Sequence, residues 1–505
     1  LVTENWFDLN ASRYTASSTL QRMELLKTGY MGTLSLGWDN YLFLELTGRQ
    51  ERSSTLKDQS FFYPSANLSF LFSNAFRMPA WWNHGKLRLS YGVVGNAPET
   101  YAANIIYEQG SDNGFTWNYV PSSWGNANIR PEKKYEYEIG FESKFLNNRL
   151  GFDVSYYNNR VKDQILSTPQ PSTSGVKYVL MNVGEVANEG WDISVSATPV
   201  LTKNFRWDLT ANYGIYRNKV VKLADGVPYL EISNIGGGGA KIQAVEGRPM
   251  GDIYVQVPQM NENGEYLVSD KGLYMNQTEL QRVGNINPDG VGGLFSSFSY
   301  KNIFLDFSID FRIGGDVINE MYQYSTASGL TPESLQFRDT EHGGLSYYYP
   351  GNNNASGVPV QVDPSLGAGP NGETVYHDGV ILPGVVASTG EKNTRIIPAG
   401  YYYNQTYNWG TQPEQLTYRH SVFDNSYVKL RELTIGYQFP EKLISKLGMT
   451  RLSVSVFGRN LFYFYKALKN YDAESSVGTS WASQAVVGGS TTATRNFGVS
   501  LQASF

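Results

Sequence analysis

The stretch from 135 to 157, YEYEIGFESKFLNNRLGFDVSYY, alternates so strictly that few folds can accommodate it. Tyr135, Tyr137, Ile139, Phe141 and Phe145 share one parity, while Lys134, Glu136, Glu138, Glu142 and Lys144 share the other. After Asn147-Asn148 the pattern restarts, with Leu150, Phe152, Val154 and Tyr156 set against Gly151, Asp153 and Ser155. A strand sends successive side chains to opposite faces, so the pattern predicts a hairpin with one face in oil and one in water. Asn tolerates positive φ, which suits Asn147-Asn148 to the turn.

One such hairpin would fit a soluble sandwich, but the alternation recurs along the whole chain. Leu34, Leu36 and Trp38 run into a turn at Asp39-Asn40, and Leu42, Leu44 and Leu46 run out of it. Further stripes are Ala66 to Phe72, Leu87 to Val93, Trp191 to Ala197 and Phe205 to Tyr213. Ile303, Leu305, Phe307, Ile309, Phe311 and Ile313 alternate with Asp306, Ser308, Asp310 and Arg312, a contrast too sharp for a soluble core. Leu433, Ile435, Tyr437 and Phe439 form another stripe, whose phase slips between Leu430 and Leu433 as at a β-bulge. The chain closes with Phe497, Val499, Leu501, Ala503 and Phe505 on one parity.

The connections sort into two alternating kinds. Residues 39–40, 74–84, 147–148, 201–204, 301–302 and 440–449 make the shorter set, and 97–132, 168–185, 222–289, 314–424 and 461–492 the longer. Short turns at one end and long loops at the other predict a transmembrane antiparallel β-barrel. The mean hydropathy of −0.36 is compatible, because a spanning strand is only half apolar. Aromatic residues at 14% are abundant, and the absence of cysteine excludes disulfides and Cys-ligated metals. A net charge of −5 offers no basic footprint, so no nucleic acid partner is expected. About thirteen strands are clear and residues 5–14 would add another, giving about fourteen: a closed pore or part of a larger barrel. The opening at Leu1, without Met, suggests a processed protein or part of a longer one.

Between the strands stand phrases that resemble the SusC/RagA-like TonB-dependent outer-membrane transporters. They are IRPEKKYEYEIGFESKFLNNRLGFDVSYYNNRVKDQIL, NVGEVANEGWDISVSATPV, VEGRPMGDIY, GNINPDGVGGLFSSFSYKN, DNSYVKLRELTIGYQFP and FGRNLFYF, in that order, with LRLSYGVVGN upstream. The resemblance implies a 22-stranded barrel in the bacterial outer membrane, of which residues 1–505 would be the C-terminal portion, without the N-terminal plug and first strands. It further implies active import energised through TonB, a SusD-like surface lipoprotein as lid, oligosaccharide or oligopeptide cargo, and a dimer of transporter–lid units. No cofactor or enzymatic activity is expected. The strands alone leave open a passive fourteen-stranded porin.

Candidate binding residues are the loop aromatics Trp117, Trp124, Tyr347, Tyr348, Tyr349, Tyr401, Tyr402, Tyr403 and Trp409, since a rigid ring offers a large contact face to a sugar or peptide. Packing of loops against each other or against a partner would use the same residues. The inward-parity charges Glu136, Glu138, Asp306, Asp310 and Arg312 are expected to line the lumen, where they could grip a plug or simply be solvated. His84, His342, His377 and His420 are scattered and form no recognisable catalytic constellation. NENGEY at 261–266 reads as a turn and GGGG at 236–239 as a loop, each lacking the ligand pattern of an ion or phosphate site.

Overall fold

A computed structural model describes residues 22–56, 60–112, 115–338, 343–407, 417–489 and 491–505. Thirteen strands form one antiparallel sheet in which each pairs with its neighbours in sequence order. They are β1 (Lys27–Trp38), β2 (Leu42–Ser53), β3 (Ser60–Phe70), β4 (Trp82–Asn96), β5 (Glu132–Phe145), β6 (Leu150–Lys162), β7 (Glu185–Leu201), β8 (Phe205–Lys222), β9 (Gly290–Tyr300), β10 (Ile303–Ile313), β11 (Tyr427–Gln438), β12 (Arg451–Lys466) and β13 (Asn496–Ser504). The segment proposed as a further strand, residues 5–14, lies outside the described residues.

Register explains the parity. Across the sheet, Leu44, Leu68, Leu89, Ile139, Tyr156 and Trp191 stand directly opposite one another, strand to strand. Leu305, Ile435, Val456 and Val499 continue such a row near the other edge. Leu89 at 39% and Ile139 at 47% exposure, on strands inside the sheet, typify this face among the described residues. A contiguous apolar belt of this extent is untenable in water and is what hydrocarbon solvates. At the short-turn end Trp81 stacks on Phe145 and Trp207 on Phe298, an aromatic border of the kind found at a membrane interface.

The turns follow from local chemistry. Asp39 and Asn40 adopt φ of 53° and 59°, and Asn147 and Asn148 57° and 62°, the left-handed geometry that a right-twisted hairpin requires. Between β3 and β4 the chain closes through a short helical turn, Phe72–Ala75. The expected phase slip is a bulge: the β10–β11 register passes from Ser308↔Glu432 to Ile309↔Leu430, leaving Arg431 unpaired. Connections at the long-loop end cover 97–131, 163–184, 223–289, 314–426 and 467–495, with 54–59 the one short member. The major buried apolar cores lie in or beside these loops rather than within the barrel wall.

Candidate functional site

The face opposite the apolar belt is polar and concave. A groove of about 610 Å³ runs along it, lined by Asp153, Asp192, Asn212, Asp310, Arg312 and Tyr427 among others. Its charges are organised across strands. Arg88 of β4 donates to Asp153 of β6 at 2.6 Å and lies 3.5 Å from Glu142 of β5. Ser297 Oγ donates to Asp306 at 2.6 Å. Arg431 is aimed inward by its bulge, donating to Asp310 and to Asn460 Oδ1 at 2.8 Å. It also forks onto Glu474, which belongs to the connection between β12 and β13 and takes Lys429 as a second cation.

Three long loops interlock above this wall. The connection from β8 to β9 forms a four-stranded sheet of Tyr229–Ile235, Ala240–Val245, Asp252–Val255 and Gln281–Asn285. Fully buried Asp252 pins it, accepting from Arg248, Arg282 and Asn285. The connection from β10 to β11 contributes the strand Asp316–Asn319, which pairs with Val422–Asp424 and, in parallel, with Val486–Val487. Ile242 and Ile253 from the first loop, Ile318 and Tyr418 from the second, and Ala485 and Val486 from the third share one core. Gly236 takes φ of 60° beneath the Tyr418 ring, where a Cβ would meet the hydroxyl. We call this assembly the canopy.

The predicted aromatics divide by burial. Tyr402 and Tyr403, at 2% and 3% exposure, pack with Tyr407 inside a second canopy core, and the Tyr403 hydroxyl reaches the carbonyls of Glu333 and Gln336. Helical spacing explains this: Ala399–Tyr407 is a helix whose residues 402, 403, 406 and 407 all face inward. Tyr347 is equally buried, stacked on Tyr376 and donating to Asp378 at 2.9 Å. Tyr347, Tyr402 and Tyr403 are thus buried within the loops. Tyr348, Tyr349 and Tyr401 keep partial exposure, and Trp124 is half-buried with its indole N–H unpartnered. Trp117, at 48% exposure, lies over Gly110 on the strand Phe115–Tyr119. Trp409 lies outside the described residues.

Two polar arrangements escaped the sequence reading. Ser346 Oγ and His377 Nδ1 are 2.8 Å apart, joined by two strands distant in sequence. The hydroxyl side is buried while the imidazole is exposed, so the bond orients the ring outward. Burial and the neighbouring Arg419 push the His420 imidazole below its ordinary range, and its ring packs on Tyr407. At 261–265 the Asn261 side chain accepts from the N–H groups of Asn263 and Glu265, closing the expected turn.

A family model described as TonB dependent receptor-like, beta-barrel, matches residues 4–253. The TonB-dependent receptor P3 of Formosa agariphila is 22% identical over 494 residues, covering 89% of this chain and 42% of its own. Over nearly half its length the chain is similar to the TonB-dependent receptor β-barrel. Its sheet is accordingly an outer-membrane barrel wall. The TonB-dependent receptor SusC of Bacteroides thetaiotaomicron is 27% identical over 256 residues, 44% of this chain and 24% of that protein. The solved RagAB peptide transporter shares the fold with a TM-score of 0.71 at 18% identity, covering 100% of this chain and 50% of that one. The chain thus spans half or less of the length of these relatives.

Proposed function

We propose that the chain is the C-terminal barrel portion of a SusC/RagA-type importer that moves large solutes across the outer membrane. The polar, ion-paired lumen wall carries this reading: a wall with a groove and cross-strand charge ladders is built to face a hydrated passage or a removable plug, not a packed core. On this reading the remaining strands complete a barrel of about 22, a preceding plug domain fills the lumen, and TonB supplies the energy mechanically. A SusD-like lipoprotein would close on the canopy, in pairs of transporter–lid units. Oligosaccharide and oligopeptide remain the two cargo classes, RagAB being named a peptide transporter and SusC standing among the relatives.

The test is energy dependence. Uptake of labelled oligosaccharides and oligopeptides is measured in cells carrying the full-length protein, before and after an uncoupler collapses the inner-membrane gradient. An importer stops; a passive porin of these strands continues, and continued uptake defeats the proposal.

A further inference from the structure

The connection that leaves β12 at Lys466 turns back onto the lumen face before rising into the canopy. Leu468 packs at once into an apolar cluster with Val317 and Val487, and polar contacts follow. Tyr463 donates to Asp472 at 2.6 Å, Asn425 Nδ2 donates to Ala473 O at 3.0 Å, and Glu474 receives Arg431 and Lys429. Asp472 also accepts the backbone N–H groups of Glu474 and Ala493. Farther along, apolar contacts return. Ala482, Ala485 and Val486 enter the canopy core, and Val487 packs with Val317 and Leu468.

The two ends break differently. The apolar end yields only when its whole area is exposed to water. At the polar end the ionic contacts to the lumen wall converge on Glu474, shared by a bidentate guanidinium and an ammonium that is 3% exposed. We propose that residues 467–489 form a strap tying the canopy to the lumen wall, with Glu474 as its releasable end. Canopy displacement is transmitted through Val486–Val487 to this clamp, and a competing carboxylate at Arg431 and Lys429 releases it. Burial pushes the Glu474 carboxyl up, but Arg431 and Lys429 outweigh it and hold it below its ordinary range, with Tyr427, Asp472, Tyr463 and Lys466 also close by. Mild acid therefore leaves the clamp shut.

The 505 residues contain no cysteine, so introduced thiols in this region report cleanly. In the full-length protein, a nitroxide on Thr479→Cys reports strap mobility, and a label pair on Asn263→Cys and Asn148→Cys reports canopy-to-barrel distance. Glu474→Gln is expected to mobilise the label at position 479 and broaden the distance distribution about twofold, with Glu474→Asp intermediate. Unchanged spectra and widths in Glu474→Gln overturn the proposal. If that variant fails to assemble, Arg431→Lys keeps the charge but loses the fork; it must shift both readings the same way, and its failure to do so is equally fatal.

Discussion

Arg88 reaches Asp153 across an intervening strand because Gly140 lies between them. Arg88 is on β4, Asp153 on β6, and Gly140 on β5 stands opposite Arg88 in register. A Cβ at residue 140 would come within 2.7 Å of the Arg88 Nε, so a side chain there expels the guanidinium. We expect Gly140→Val to destabilise the barrel by about 1–3 kcal/mol, through overpacking and an orphaned ion pair. Heat-dependent gel mobility of the full-length barrel measures it. Since both changes act on one contact, Gly140→Val and Asp153→Asn should be non-additive; independent effects would refute the bridging role.

The two faces of β5 should respond oppositely to charge. Ile139 lies in the apolar row between Leu89 and Tyr156, whereas Glu138 looks into the lumen. Ile139→Arg should cost about 2–4 kcal/mol in the membrane and sharply reduce outer-membrane assembly, while Glu138→Gln should leave assembly intact. Equal assembly of the two variants would contradict the lipid-facing assignment.

Loop aromatics separate into buried rings that hold the canopy and rings that stay exposed. Tyr402→Ala opens a cavity in a buried core and should cost about 3–5 kcal/mol of canopy stability, read as protease sensitivity. Trp117→Ala removes an exposed ring and should leave protease resistance unchanged while lowering uptake of cargo that stacks on it. Full uptake in Trp117→Ala with either cargo class would remove that residue from the binding surface.

The canopy should loosen in mild acid. His420 has a folded pKa below its unfolded value of about 6.5, so the unfolded loop binds the extra proton first. Its stabilisation is complete above pH of about 6.5 and declines as pH falls below it. Limited proteolysis at pH 7.5 and 5.5 should show faster canopy cleavage at the lower value, a difference that His420→Phe abolishes. An undiminished pH effect in that variant would assign the loosening elsewhere.

The barrel wall was legible because each strand carries its environment in its own two-residue period. Residues 303–313 need no partner to reveal which side meets lipid, and the slip at Leu430–Leu433 marked the bulge that aims Arg431. Clusters in the loops were harder. Tyr401, Tyr402 and Tyr403 look alike in a row, yet a helical turn buries two and leaves the first at the surface; their spacing from Thr406 and Tyr407 was the available signal. Ser346–His377 and the Glu474 clamp join residues whose separation carries no local pattern at all. Such contacts arise only from how the loops cross.

The shared core of Ile242, Ile318 and Val486 has a consequence for biogenesis. Its three contributors are threaded outward between successive hairpins, the last only just before β13. Until that final segment is exported, Ile242, Ile253 and Ile318 lack their closing partners, so maturation of the exterior lags behind insertion of the wall. Closure of the exterior core is thereby tied to delivery of the segment that precedes β13.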